Sequence, residues 1–163
     1  MTVYHGSYCE IRNPDVTFSK NYLDFGKGFY ITTFMNQAEK WALRKADRTE
    51  NGIATVNIFE LLEDFGNYKV LDFKSENESW LDFVCKCRKG AEIYKEYDII
   101  IGAVADDDVF KTVNMYFRGL WDKKKTLEEI RYYKTNNQIC ITNQEVLNKI
   151  LSFKSSYTVE EKS

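Results

Sequence analysis

The chain has 163 residues, 44% of them apolar and 29% charged, which is enough for one domain with a hydrophobic core and excludes a disordered segment. Lys and Arg total 23 against 25 Asp and Glu, a net charge of −2, so the broad positive field of a general nucleic-acid binder is excluded. No apolar run approaches the ~20 residues that a membrane span needs.

The opening MTVYHGS lacks the charged-then-apolar layout of a secretory leader. The four cysteines, Cys9, Cys85, Cys87 and Cys140, follow no framework spacing. Reduced thiols in a cytoplasmic protein are the expectation. One domain is expected over residues 1–152, followed by a polar tail, 153–163, that should fray.

Val3 to Ser7 reads as a short strand. Residues 8–25 look irregular and contain the turn signal Asn13-Pro14-Asp15. Gly26-Lys27-Gly28 opens a β-branched and aromatic run, Phe29 to Phe34, that reads as a strand. A helix is predicted from Asn36 to about Arg48, with Ala38, Trp41 and Ala42 on its apolar stripe. Ile53 to Phe59 alternates like a half-buried strand, and Lys69 to Phe73 forms a shorter one. A helix over Glu76 to Lys89 carries Trp80, Phe83, Val84 and Cys87 at helical spacing. Tyr97 to Ala105, with Ile99-Ile100-Ile101, reads as a buried central strand. Asp106, Asp107 and Asp108 stand where the next helix begins, and acids there complement its dipole. A charged helix follows from Thr126 to about Lys134, then a strand from Gln138 to Thr142, and Asn143 caps a last helix ending at Leu151. Strands and helices mix without a strict βαβ rhythm, so the fold class is α+β.

Gly26-Lys27-Gly28 lacks the third glycine of a dinucleotide fingerprint, and no glycine-rich loop ends in Lys-Ser/Thr. Cys85-Lys86-Cys87 has the wrong spacing for a zinc knuckle and a single histidine cannot complete one, so no metal is expected. On a helix those two thiols point roughly 200° apart, which places one in the core and one at the surface. Ser7 does not sit in a nucleophile elbow.

The single histidine, His5, lies in Tyr4-His5-Gly6-Ser7 at the end of the first strand. Asp24-Phe25-Gly26-Lys27-Gly28-Phe29-Tyr30-Ile31-Thr32-Thr33 and then Gln37-Ala38-Glu39-Lys40-Trp41-Ala42 follow. These segments resemble the ADP-ribosyltransferase superfamily, on the diphtheria-toxin and poly-ADP-ribose-polymerase side. The close resemblance covers about the first 45 residues. The whole chain is also similar to small bacterial proteins within that superfamily, through Ile101 to Asp107 and Gln138 to Thr142.

The resemblance implies a split, mixed β-sheet core with flanking helices, and NAD⁺ as substrate. Gly6 would pair its backbone with the nicotinamide carboxamide, Ser7 would add a hydroxyl, and His5 would donate to the adenosine ribose. Gly28 would belong to the same pocket, and Tyr30 would stack on the cationic ring. Breaking the nicotinamide–ribose bond creates oxocarbenium character, so an oxygen anchoring the ribose 2′-hydroxyl acts mostly in the transition state. Better-known members use a late-strand glutamate there, and the matching residue here is Gln138, which brings no charge. Asp107, with Asp106 beside it, is the candidate to supply that charge; first-turn acids of a helix explain the same residues without any site. The activity implied is mono-ADP-ribosylation of a macromolecular or small-molecule acceptor, as the toxin of a pair neutralised by an antitoxin protein. A non-catalytic NAD⁺ or ADP-ribose binding module and NAD⁺ hydrolysis are the alternatives. Acceptor choice would lie in residues 8–25 and 123–137.

Overall fold

The computed structural model describes residues 1–105, 107–130 and 137–161, with Asp107 described by its backbone alone. Asp106, the end of the predicted helix at Lys134 and most of the loop before Gln138 lie outside the described residues.

Two sheets form. In the first, β1 (Thr2–Ser7), β3 (Thr55–Leu61) and β7 (Leu151–Thr158) are antiparallel in the order β1-β3-β7. The second has the order β2 (Phe29–Ile31), β6 (Asn137–Ile141), β5 (Ile99–Ala103) and β4 (Val70–Asp72), with β4 parallel to β5 and the other pairs antiparallel. The sheets meet at one antiparallel bridge, where Tyr4 and Thr32 exchange both backbone hydrogen bonds at 2.9 Å. The architecture is therefore α+β, with a mixed sheet and an antiparallel sheet meeting along β1 and β2.

Among the described residues five α-helices accompany the sheets: α1 (Met35–Asp47), α2 (Glu78–Arg88), α3 (Asp107–Phe117), α4 (Lys123–Ile130) and α5 (Gln144–Ile150). Asn143 caps α5 by accepting from Glu145 and Val146 N–H, as the sequence predicts. Helix α1 packs on β1 through small residues. A Cβ on Gly6 would collide with Ala38 O, lie 2.6 Å from Ala42 N and 2.9 Å from Trp41 Cβ, so only glycine lets the helix settle there.

Strand alternation sorts the core. Phe29 and Ile31 face a cluster with Val3, Phe59, Ile99, Ile139 and Leu147. Tyr30 faces the other way, against a cluster built on Phe25, Trp80, Val84, Ile100 and Cys140.

Two expectations are corrected. The segment expected to fray is strand β7 as far as Thr158, paired with β3 along its length. Its side chains are polar because one face is exposed, while the backbone ladder holds it. Cys85 and Cys87 are both buried, at 6% and 2% exposure, because α2 is enclosed on most of its circumference, with Trp80, Leu81, Phe83 and Val84 also buried.

Candidate functional site

Beyond the Tyr4–Thr32 bridge the two strands part. Backbone polar groups alternate in direction along a strand, so Gly6 and Tyr30 face each other across the gap and would form the next hydrogen-bonded pair. Side chains take their place. His5 Nδ1 meets Tyr30 O at 2.5 Å, and Lys45 Nζ donates to Gly6 O at 2.8 Å. A carbonyl only accepts, so His5 Nδ1 carries the proton and Nε2 is left as an acceptor, 3.5 Å from Lys45 Nζ. The imidazole stacks on Phe29 at 4.2 Å between ring centroids. Burial, with the Lys45 ammonium adding to it, holds the His5 pKa well below its usual value, so the ring is neutral. Burial also lowers Lys45, to about 8, and the charge of Lys20 acts in the same direction.

Tyr30 is half-buried. Its hydroxyl donates to Gly26 O at 2.6 Å and accepts from Phe25 N–H at 3.0 Å, which ties the ring to the turn before β2. Tyr30 and His5 thus meet through the Tyr30 backbone, while the imidazole and the phenol lie toward opposite faces of β2. Gly28 is explained by packing, since a Cβ would collide with Cys140 Sγ and lie 2.8 Å from Ile141 O. Ser7 is buried at the open end of β1.

Gln138 shares the face of Cys140 and hence of Tyr30, its cross-strand neighbour. It is buried, and its Nε2 donates to Asp24 Oδ2 at 3.1 Å and Ala103 O at 3.3 Å. Asp24 is the hub of this network. It also receives Arg88 through Nη2 and through Nε at 2.9 Å, and the Ala105 N–H at 3.0 Å. The same guanidinium lies 4.3 Å over the Phe110 ring. Both Gln138 donors are used inward, and among the described residues its Oε1 has no hydrogen-bond partner. Asp107 begins α3, two residues beyond this network.

The residues that sequence reasoning missed are Lys45 and the Asp24–Arg88 pair. Asp24 stands in the Asp-Phe-Gly-Lys-Gly segment, and that position was the available signal. Arg88 and Lys45 look like any solvent-facing helical cation, and nothing in their spacing marks them.

These features are those of an α+β domain whose two sheets meet along β1 and β2. The chain belongs to the family described as protein of unknown function (DUF3990), whose model matches residues 1–153. No curated protein and no solved structure matches the chain. Among the described residues no helix is long and apolar enough to cross a membrane, and no group of three or more His, Cys, Asp and Glu could hold a metal ion.

Proposed function

We propose that this chain takes NAD⁺ at the gap between β1 and β2 and transfers its ADP-ribose to an acceptor. The observation that carries the reading is the edge of Gly6. Its N–H and C=O point into the gap where strand pairing has stopped, and a donor beside an acceptor matches the two hydrogen-bonding groups of a primary carboxamide. A carbonyl has two lone pairs, so Gly6 O can serve a carboxamide N–H while Lys45 remains nearby. In this reading Ser7 flanks the amide and the half-buried Tyr30 offers the free part of its ring, whereas His5, whose single N–H goes to Tyr30 O, has no donor left for the adenosine ribose and instead holds β2 in place. Gln138, on the Tyr30 face, turns its oxygen to a ribose hydroxyl. Asp107, with Asp106, is the acid that could supply the charge Gln138 lacks.

The test is incubation with NAD⁺ labelled in the adenylate, with and without bacterial lysate. Labelled acceptor together with free nicotinamide supports transfer. Free nicotinamide alone supports hydrolysis. A second reading, a non-catalytic NAD⁺ or ADP-ribose module, is favoured by one observation: the Gln138 amide is neutral and its donors are committed to Asp24 and Ala103. It expects NAD⁺ binding by calorimetry without nicotinamide release. Absence of NAD⁺ binding would remove both readings.

A further inference from the structure

The C-terminal end of α2 gathers aromatic rings and cations on one surface. Gly90 follows the helix at a φ of +92°, and a Cβ there would lie 2.9 Å from Tyr22 Cε1, so the glycine leaves room for the edge of the tyrosine. The two residues before it each hold a ring of α3. Arg88 Cζ lies 4.3 Å over Phe110, and Lys89 Nζ lies 4.9 Å over Phe117. Residues 88–90 thus join the loop before β2 to α3. Phe110 and Phe117 stand two turns apart on one face of α3, and the exposed Lys111 and Arg118 come one position further round in each case.

Two of these rings are turned outward. Tyr22 is 64% exposed and Phe110 43%. Tyr22 also sits at a φ of +64°, a left-handed backbone that a bulky side chain rarely adopts. That strain holds a ring in solvent, where packing gains little from it. The cations are open as well. Arg88 is taken by Asp24, but among the described residues no carboxylate pairs with Lys89, Lys111 or Arg118. Neighbouring acids are engaged elsewhere: Asp82 accepts from Lys123 and from the Tyr116 hydroxyl at 2.9 Å each, and Glu92 holds Lys95 at 2.8 Å. Asp107 and Asp108 stand at the start of α3, where the helix dipole favours them.

An exposed aromatic face accepts a nucleobase of any kind, and a free cation beside it accepts a phosphate. The combination suits a strand whose bases are unpaired, since a duplex hides its base faces. An acidic polypeptide would satisfy the cations and leave the rings without a stacking partner. With a net charge of −2, the chain holds such a strand through this surface alone, and the binding weakens as salt rises.

We propose that this surface binds single-stranded nucleic acid, with Tyr22 and Phe110 stacking on bases and Lys89, Lys111 and Arg118 meeting phosphates. It does not rest on the NAD⁺ reading.

The experiment is fluorescence anisotropy of a labelled oligothymidylate of about 12 nucleotides, titrated with the full chain at about 50 mM salt. An abasic strand of the same length and labelled polyglutamate are the companion probes. The proteins are the parent, Tyr22→Gly, the double variant Lys89→Glu with Lys111→Glu, and Leu62→Ala, an exposed apolar residue just past β3, as control. Oligothymidylate should bind the parent about fivefold or more tightly than either companion probe. Tyr22→Gly should lose about fivefold or more in affinity and yet keep the parent's Tm or exceed it, because glycine adopts this backbone freely. A tyrosine with a purely structural role would lower Tm instead. The double variant should lose about tenfold or more and show a flatter salt dependence, and Leu62→Ala should match the parent. A parent that does not bind oligothymidylate, or Tyr22→Gly that binds it with parental affinity, overturns the proposal. Equal binding of the abasic strand or of polyglutamate also overturns it, the latter by revealing a surface for an acidic protein. Should Tyr22→Gly fail to fold, Tyr22→Asn, which also tolerates a left-handed backbone, decides by the same outcomes.

Discussion

Replacing Lys45 by Met should stabilise the protein at neutral pH and destabilise it at high pH. The Lys45 pKa is lowered from 10.5 to about 8, chiefly by burial. At 1.36 kcal/mol per pKa unit, holding the ammonium in the folded state at pH 7 costs about 3 kcal/mol. That is a ceiling, because the side chain is half-buried and solvent screens part of it. Against it stands the hydrogen bond to Gly6 O, about 1 kcal/mol, which Met cannot make. The balance is a gain of about 1–2 kcal/mol for Lys45→Met at pH 7. The folded pKa lies below the unfolded one, so the penalty is fully present below about pH 8 and disappears as pH rises to about 10.5. There the lost hydrogen bond alone remains, and the variant should be about 1 kcal/mol less stable than the parent. Urea unfolding followed by fluorescence of the three tryptophans, at pH 7 and near pH 10.5, measures the difference. A variant that is less stable than the parent by the same amount at both values would refute the picture of an uncompensated cation.

The buried neutral His5 gives a further pH signature: as pH falls below about 6.5 the unfolded chain takes up a proton that the folded chain does not, so stability drops by about 1.4 kcal/mol per pH unit from this residue. His5→Phe should remove that slope, read as the difference between parent and variant unfolding curves from pH 7 to 5. Asp24→Ala leaves Arg88 and the donors on Gln138 and Ala105 facing an empty acceptor position and should cost about 3–5 kcal/mol, whereas Asp24→Leu combined with Arg88→Met should recover much of the loss in Tm. Gly6→Ala must displace the α1 backbone and should cost about 3 kcal/mol or more, and a denaturation midpoint equal to that of the parent would show that α1 yields easily there.

The structure also changes what a Gln138 variant would report. Gln138→Glu, viewed from the sequence alone, restores an anion beside a developing cation. In place it sets a second carboxylate next to Asp24, where like charges push a pKa upward and hold one acid protonated. Gln138→Ala likewise removes a donor from the Asp24 hub. Any loss of turnover in it has to be separated from loss of fold by measuring Tm alongside activity.

Most of the secondary structure was legible in the sequence because periodicity and caps are local. The α1 stripe of Ala38 and Ala42, the apolar run of β5 and the Asn143 cap each act within a few residues. The α+β class followed from the order of those elements. Strand β7 was not legible, since a polar strand is held by the ladder it makes with β3, nearly a hundred residues away, and leaves little mark on its own composition. His5, Gly6 and Tyr30 could be singled out as a motif, but their contacts could not. Only the parting of β1 from β2 puts the His5 imidazole on the Tyr30 carbonyl and Lys45 on the Gly6 carbonyl. The same holds for Asp24, Arg88 and Gln138, which meet from a loop, a helix end and a late strand. Sequence carries information about neighbours along the chain, whereas a buried charge finds its partner through space, and that pairing was decided by the tertiary fold alone.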